Sequence, residues 1–280
     1  MSTLYPASTR DICLFILDNG RMFPPAPSAQ SWSHNINLQN TVYPIYAVLI
    51  SHPQGYVLFD AGCHPNSMGV HGRWPSALQT AYPWLAGPQD MLLTRLSQLC
   101  VKPSDIRYVV CSHLHCDHAG NLEFFPHSEI LVHEWEWHAA QRELGTGLES
   151  VDFVRQDVQA WASASLNVRT VPYDARPFEL LPGLVVHNLG QGHSYGMLAL
   201  EVNLREQGTI ILASDAAYSA DCYGTAPNLP QTYVSEAGYM QGVAYLQQLA
   251  DSTSGTVWFG HDLKQFMKLL AASSKTGCIE

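Results

Sequence analysis

Nine apolar segments of strand length recur along this chain, and they constrain its fold more than any other feature. The segments are rich in β-branched and aromatic residues and are separated by turn residues, a pattern that is typical of buried β-strands. The predicted strands are Ile12–Leu17, Tyr43–Ile50, Tyr56–Phe59, Tyr108–Cys111, Ile130–His133, Leu184–His187, Met197–Val202, Ile210–Ala213 and Val257–Phe259.

Helical patterns lie between these strands. Apolar side chains at i, i+4 and i+7 indicate an amphipathic helix, and the spacing occurs twice. The two sets are Leu92, Leu96 and Leu99, and Tyr239, Val243 and Leu246, of which the second follows Ser235-Glu236 as a helix start. Further helices are predicted at Trp135–Leu144, Val151–Ala164 and Leu263–Ala271. Paired strands followed by alternating strands and helices favour a layered α/β fold, with residues 1–280 as one domain.

The charge balance argues against nucleic acid as a partner. The chain has 14 Lys+Arg against 24 Asp+Glu, so its formal net charge is 14 − 24 = −10. A protein that binds phosphate backbones needs a basic surface, which this composition does not offer. No segment approaches the roughly 18–20 apolar residues that span a bilayer, and the N-terminus lacks the pattern of a signal peptide. A cytoplasmic protein without a membrane partner is therefore expected.

The cysteine pattern predicts reduced, buried side chains. The seven cysteines are odd in number, are scattered along the chain and contain no CxxC pair. Neither a disulfide framework nor a cysteine zinc site is therefore expected. Most of the cysteines are predicted to be small apolar residues of the core.

Two segments rich in proline and aromatic residues, 21–40 and 64–88, are predicted to be long packed loops. Loops of this length inside a compact domain are uncommon and often functional. Two alternatives remain open for them. They either cover the core or form the walls of a substrate pocket.

The histidines point to metal chemistry. The chain has 13 of them, and the densest cluster is the motif HLHCDH at residues 113–118, directly after a predicted strand. Because alternate residues of an extended chain share a side, His113 and His115 can point together, while the following turn presents Asp117 and His118 from another direction. Imidazole and carboxylate groups are zinc ligands. Four of them within six residues exceed what one tetrahedral ion with an open position takes, so the spacing indicates two ions.

Three more potential ligands lie at the ends of other predicted strands. His193 lies in the turn Gly-His-Ser-Tyr-Gly between two strands, and Asp215 and His261 each follow a strand. Sites assemble where strand ends meet at one edge of a layered sheet. Alone, either histidine fits a structural role in the core. Together with the 113–118 motif, they predict one composite metal site.

This set of motifs resembles the metallo-β-lactamase-fold hydrolases. HLHCDHAG, GHSYG, Asp215 and His261 follow each other in the order of that superfamily and span nearly the whole chain. The resemblance implies an αββα sandwich with two divalent metal ions at the sheet edge, and zinc is the expected metal. It implies two ligand sets with Asp215 as the bridge between them: His113, His115 and His193 for one ion, and Asp117, His118 and His261 for the other.

Within that superfamily the chain resembles the N-acyl-homoserine lactonases and their relatives that open other small lactones. HLHCDHAGN, which ends at Asn121, and the tetrad Asp215-Ala216-Ala217-Tyr218 carry this likeness. It implies that Tyr218 helps to hold the substrate carbonyl and that Asp60, in a strand-ending Asp-x-Gly turn, orients a ligand histidine. The branch commonly has an aromatic residue where this chain has Cys116. Cys116 is expected to line the pocket and not to bind metal.

The resemblance implies hydrolysis of a cyclic ester by a hydroxide bridging the two ions. Asp117 would protonate the leaving ring oxygen, and Tyr218 would donate a hydrogen bond. The expected substrate is a small molecule with an apolar or aromatic part, and the expected protein is a monomer or a homodimer. A cyclic amide or carbamate, a β-lactam or a thioester could use the same site and stays the main alternative. The net charge disfavours a nuclease, and the seven filled ligand positions disfavour a non-catalytic binding module.

Overall fold

A computed structural model describes residues 12–24, 42–146 and 152–280, and the strands in these residues form two β-sheets. Their bounds are β1 (Cys13–Met22), β2 (Tyr43–Ser51), β3 (Tyr56–Phe59), β4 (Trp84–Leu85), β5 (Ile106–Val110), β6 (Glu129–His133), β7 (Asn167–Val171), β8 (Phe178–Leu181), β9 (Leu184–Gly190), β10 (Met197–Leu204), β11 (Gly208–Ser214) and β12 (Thr256–Phe259).

The first sheet has seven strands in the order β4-β1-β2-β3-β5-β6-β7, and the second has five in the order β12-β11-β10-β9-β8. In the first sheet, β3, β5, β6 and β7 run parallel to one another. In the second, β11 and β12 are the parallel pair. Parallel neighbours end at the same edge of a sheet, so the residues that follow β3 and β5, or β11 and β12, lie close together.

Helices cover the outer faces of both sheets. Their bounds are α1 (Ser76–Ala81), α2 (Leu92–Gln98), α3 (Cys116–Ala119), α4 (Glu134–Thr146), α5 (Arg155–Ser163), α6 (Glu236–Thr253) and α7 (Leu263–Thr276). Side chains of α2, α4 and α5 pack on the first sheet, and α6 packs on the second. The layers therefore follow the αββα order that the sequence predicted. No helix in the described parts of the chain is long and apolar enough to cross a membrane.

The alternation of side chains along each strand separates the cores. In β10, Leu198 and Leu200 face the core between the two sheets, whereas Ala199 faces α6. In β2, Val48 faces the same central core, and Leu49 lies under the helices of the first sheet. Successive side chains of a strand point to opposite faces. Strands that are buried on both faces therefore appear in the sequence as continuous apolar runs.

All nine predicted strands occur in the structure, with shifted ends, and Ser235 caps α6 by accepting a hydrogen bond from the Gly238 amide. The helix predicted at 151–164 begins later, at Arg155, and residue 151 lies outside the described residues. The strands β7 and β8 were not predicted. β7 is largely exposed, and in β8 the exposed Glu179 interrupts the apolar side chains, so neither strand has a continuous apolar run.

The two predicted loops contain regular structure where the chain is described. The segment 64–88 was expected to be irregular, but it holds α1 and the short β4, which pairs with the end of β1. Of the segment 21–40, Arg21 and Met22 belong to β1, and residues 25–41 lie outside the described residues.

The expectation that the chain has no disulfide is wrong. Cys13 and Cys278 form one, although 265 residues separate them in the sequence. Leu14 pairs with Ile279 in an isolated antiparallel bridge, which brings the end of the chain beside β1. Sequence spacing cannot reveal a pair that only this long-range contact creates. Four of the other cysteines are buried as predicted, and Cys100 is exposed.

Truncation of a side chain between the sheets should destabilise the fold. Leu200 is fully buried in the central core, so Leu200→Ala should lower the free energy of unfolding by about 2–5 kcal/mol through lost burial and the cavity left behind. Met267→Ala removes a large side chain that is 54% exposed on α7, and it serves as the control. Denaturant unfolding of both variants measures the difference. Equal losses would contradict this account of the core.

Candidate metal centre

The first group of potential ligands follows β5. The chain remains extended after this strand, and Leu114 is buried in the helix-covered core. Its neighbours His113 and His115 therefore turn to the opposite side. His115 lies immediately before the single-turn helix α3, which carries Asp117 and His118. The motif thus presents its side chains from two directions, as the sequence predicts.

The second sheet supplies the other three side chains. His193 lies in the turn between β9 and β10, Asp215 follows β11, and His261 follows β12. All three are buried, with at most 3% of each residue exposed. The residues predicted to form the site therefore meet at one edge of the sandwich, although they come from different sheets.

Two triads can be distinguished in this cluster, and the potential ligand atoms of each lie within 4.8 Å of one another. The first triad is His113, His115 and His193, and the second triad is Asp117, His118 and His261. Asp215 lies between them. Its Oδ2 is 3.2 Å from His193 Nε2 in the first triad, and its Oδ1 is 3.1 Å from His261 Nε2 in the second.

Several polar atoms of the cluster lack a hydrogen-bond partner among the described residues. Nε2 of His113, His115 and His118 and Oδ1 of Asp215 are buried without a hydrogen bond. Buried polar atoms are nearly always paired, so an unpaired group of them indicates a missing ligand. Three imidazoles and a carboxylate that converge in this way suit a divalent metal ion. The residues present therefore fit a divalent metal site.

The electrostatics of the triads support the same conclusion. Burial lowers the pKa of His113 well below its usual value and that of His115 and His193 to about 4, so the first triad is neutral. Burial also opposes the charge of His118, but nearby carboxylates, first that of Asp117, outweigh it and raise the pKa of His118 well above its usual value. The carboxylates around His118, those of Asp117, Asp215 and Asp60, thus attract positive charge, which a metal ion supplies.

Acceptors around the site hold the far nitrogen of three histidine rings. The pairs are His118 Nδ1 with Asp60 Oδ2 at 2.9 Å, His193 Nδ1 with the Thr232 carbonyl at 2.9 Å, and His261 Nδ1 with the Pro44 carbonyl at 3.1 Å. When Nδ1 donates its hydrogen to such an acceptor, Nε2 presents its lone pair to the metal site. Asp60 thus contacts His118, one of the histidines predicted to be a metal ligand.

Asp60 also joins the two sheets. Its carboxylate accepts hydrogen bonds from the Ser112 amide at 2.7 Å and from the Ser214 hydroxyl at 3.1 Å. Ser112 precedes His113, and Ser214 precedes Asp215. One side chain after β3 therefore fixes the position of potential ligands from both sheets.

A cavity of about 90 Å³ opens beside the two triads. Its polar side is formed by side chains of the metal cluster, and Met22, Trp74, Leu78 and Tyr82 form an apolar wall. Three of these four residues belong to the segment 64–88. Of the two alternatives for that segment, the structure therefore supports the pocket wall, although Trp74 and Leu78 also pack in a small core of their own.

Tyr218 and Cys116 both line this cavity. The Tyr218 ring lies 4.6 Å from that of His261 between centroids, and the Tyr218 carbonyl accepts a hydrogen bond from the His261 amide at 2.8 Å. Burial raises the pKa of the Tyr218 phenol well above its usual value, so the phenol keeps its proton as a donor. Cys116 belongs to neither triad, which agrees with its predicted position as a pocket residue.

Ion pairs that were not predicted from the sequence support the pocket wall. Arg73, next to Trp74, contacts Glu123 at 2.9 Å and Asp157 at 3.0 Å. His64 lies 3.3 Å from the same glutamate. Arg73 is 50 residues from Glu123 and 84 from Asp157 in the sequence, so no local pattern could identify the partners.

Comparison with known proteins identifies the class of this protein. Residues 40–233 match the family model described as the Metallo-beta-lactamase superfamily. The chain belongs to that superfamily, as the motifs and the αββα layers indicated. Such proteins with this arrangement of histidines and aspartates are metal-dependent hydrolases, and this chain is one of them.

Two relatives in sequence are named N-acyl homoserine lactonases. The chain is 41% identical to the N-acyl homoserine lactonase AiiB of Agrobacterium fabrum over 230 residues, which cover 82% of this chain and 83% of that protein. It is 28% identical to the N-acyl homoserine lactonase AttM of Azorhizobium caulinodans, over 90% of this chain and 94% of that protein.

Solved structures confirm the fold. An N-acyl homoserine lactone hydrolase with the product N-hexanoyl-L-homoserine bound at its catalytic metal centre superposes with a TM-score of 0.76 at 20% identity, over 93% of this chain and 96% of that chain. The dizinc quorum-quenching lactonase AidC superposes with a TM-score of 0.57 at 15% identity, over 90% and 88%.

Asp60→Asn should weaken metal binding. An amide in place of the carboxylate removes the charged acceptor for His118, and loss of such a supporting contact lowers metal affinity by about 10–100-fold. The backbone should tolerate the change, because Asp60 has a φ of 60° and asparagine accepts this left-handed conformation. Competition with a chelator measures the affinity. Asp90→Asn changes a carboxylate that bonds only Gly87 and Arg95, and it should leave the affinity unchanged.

Proposed function

We propose that this protein is a lactonase that hydrolyses N-acyl homoserine lactones by opening their cyclic ester. The arrangement of the two triads around Asp215, beside a pocket with an apolar wall, is the observation that carries the proposal. The 41% identity to proteins named N-acyl homoserine lactonases supports the same substrate class. Hydrolysis of such signal molecules would make the protein a quorum-quenching enzyme.

The ligand roles follow from the triads. His113, His115 and His193 would hold one ion, and Asp117, His118 and His261 would hold the second, with Asp215 placed between the two triads. We propose zinc as the metal, since imidazole and carboxylate ligands in this number suit Zn²⁺. When bound, two such ions lower the pKa of a water molecule and polarise the carbonyl group of the substrate.

The protein's own side chains position the substrate and transfer a proton from the water molecule to the ring oxygen. The phenol of Tyr218 donates a hydrogen bond to the lactone carbonyl, where negative charge develops in the transition state. The hydroxyl part of a water molecule adds to the carbonyl carbon, and the bond from that carbon to the ring oxygen breaks. Asp117 transfers the remaining proton of the water to the ring oxygen. The product is a hydroxy acid, so all atoms of the lactone and the water are accounted for.

The apolar wall accounts for the other part of the substrate. Met22, Trp74 and Leu78 line the same cavity as the potential metal ligands. An acyl chain that packs on this wall would be removed from contact with water, and each buried methylene group contributes about 0.8 kcal/mol to the binding free energy. We therefore propose an apolar acyl group on the substrate. The single domain at 1–280, the cytoplasmic location and the monomeric or dimeric state stay predictions.

A panel of rings separates lactone hydrolysis from its alternatives. The zinc- or manganese-loaded protein should hydrolyse N-acyl homoserine lactones faster than unsubstituted γ-butyrolactone, because only the former reach the apolar wall. β-Lactams and thioesters should react poorly. A chelator should abolish turnover, and added metal should restore it. Less than one metal ion per chain, or turnover that persists in the chelator, would exclude the proposal.

Tyr218→Phe tests the role of the phenol. The variant keeps the ring that packs on His261 but removes the donor, so kcat/KM should fall by about 100–1,000-fold if the phenol bonds the developing oxyanion. The metal content should equal that of the unchanged protein, because Tyr218 belongs to neither triad. Tyr56→Phe, on a strand outside the cavity, is the matched control. Unchanged kinetics in Tyr218→Phe would remove this residue from the mechanism.

A further inference from the structure

A buried glutamate outside the metal cluster connects the loops that carry its first triad. Glu136 lies in the first turn of α4 and is completely buried. It is not one of the potential metal ligands. Nothing in its sequence surroundings, Glu-Trp-Glu-Trp-His, distinguishes it from a surface residue of an amphipathic helix.

The hydrogen bonds of this carboxylate lead to the two loops that carry the first triad. Oε1 accepts from the Leu114 amide at 2.8 Å, and Leu114 lies between His113 and His115. Both oxygens accept from the Ser194 hydroxyl at 2.8 Å, and Ser194 follows His193. Oε2 also accepts from the Gly196 amide at 3.0 Å. One side chain therefore connects the loop after β5 with the turn between β9 and β10.

The turn between β9 and β10 closely approaches the end of β6. A Cβ atom on Gly196 would lie 2.0 Å from His133 Nδ1, so only glycine lets the 193–196 turn come this near to the end of β6. His133 in turn accepts a hydrogen bond from the Trp135 amide at the start of α4. The end of β6, the start of α4 and the 193–196 turn are thus packed as one unit around the carboxylate.

The chemistry of the contacts requires a carboxylate. Its partners are two amide N–H groups and one hydroxyl, and all three donate. An ionised carboxylate only accepts, whereas a glutamine of the same shape would direct its own N–H₂ group at one of these donors. Burial of the group has a cost, because it raises the pKa of Glu136 to about 7. A buried carboxyl group whose hydrogen bonds lead to two ligand loops indicates a positioning role.

We propose that Glu136 is the positioning residue of the first triad: it holds His113 and His115 at the distance from His193 that one metal ion needs. The proposal rests on the ligand roles given under the proposed function. It specifies that Glu136 acts on one of the two ions, because its partners adjoin His113, His115 and His193 and none adjoins Asp117, His118 or His261.

Titration of the metal-free protein with Co²⁺ tests this role without an activity assay. The visible absorption of Co²⁺ reports the geometry of its ligands, and equilibrium dialysis counts the ions bound. The unchanged protein should bind two Co²⁺ ions per chain. Glu136→Gln should bind one of them about 10–100-fold more weakly, with an altered spectrum for that ion, as expected when a supporting contact is lost. The affinity for the other ion should change by less than about threefold.

Two further variants keep the test decisive. Glu201→Gln alters another largely buried glutamate, which bonds His187 and Asn203 on β9 and β10 and contacts no ligand loop. It should bind both ions like the unchanged protein. Ser194→Ala removes the hydroxyl donor but keeps the carboxylate, and it should weaken the binding of the same ion to a smaller extent. This variant provides the test if Glu136→Gln does not fold.

The outcomes separate the two proposals. If Glu136→Gln folds and binds both ions with unchanged affinity and spectrum, the positioning role is wrong. If the variant weakens the binding of both ions equally, as a general loss of structure would, the positioning role is also wrong. If the unchanged protein binds fewer than two Co²⁺ ions, the dinuclear site fails instead, and that result is independent of Glu136.

Discussion

The packing of one sheet on the other is the constraint on which the site depends. His113, His115, Asp117 and His118 follow a strand of the first sheet, whereas the remaining potential ligands follow strands of the second. The central core, which contains Val48 and Leu200, fixes how the two edges face each other. Because a packed interior resists displacement, this core holds side chains of both sheets at the separation that metal ions require.

Hydrogen bonds at the sheet edge further fix the positions of the loops that carry the potential ligands. Asp60 connects the loops that carry ligands from both sheets, and Glu136 does the same from the side of α4. Both carboxylates are buried, and both accept hydrogen bonds from the loops that carry the potential ligands. The metal site is thus supported by two carboxylates that belong to neither triad. Two divalent ions would change the formal net charge of −10 to −6 and create a positive pocket within an acidic protein.

Much of the fold was predictable because strands buried on both faces have continuous apolar sequences. The segment Tyr43–Ile50 and the run Met197–Val202 are examples, and both are strands. The strands β7 and β8 were missed because polar residues interrupt their apolar side chains. The helix α1 was missed because it is short and lies in a segment rich in proline. The disulfide between Cys13 and Cys278 depends on a contact between the two ends of the described chain.

The sequence by itself determined the composition of the site, since side chains that bind metal are chemically distinctive and several lie within one short motif. It thereby predicted a composite metal site, and the resemblance of its motifs to a known superfamily implied the division of the ligands between two ions and the class of reaction. Only the tertiary structure decided which groups support them. The contacts of Glu136 with Leu114 and Ser194, or of Arg73 with Asp157, join residues that are far apart in the chain. A carboxylate has the same appearance in a sequence whether it faces water or a buried amide, and only burial and distance distinguish the two.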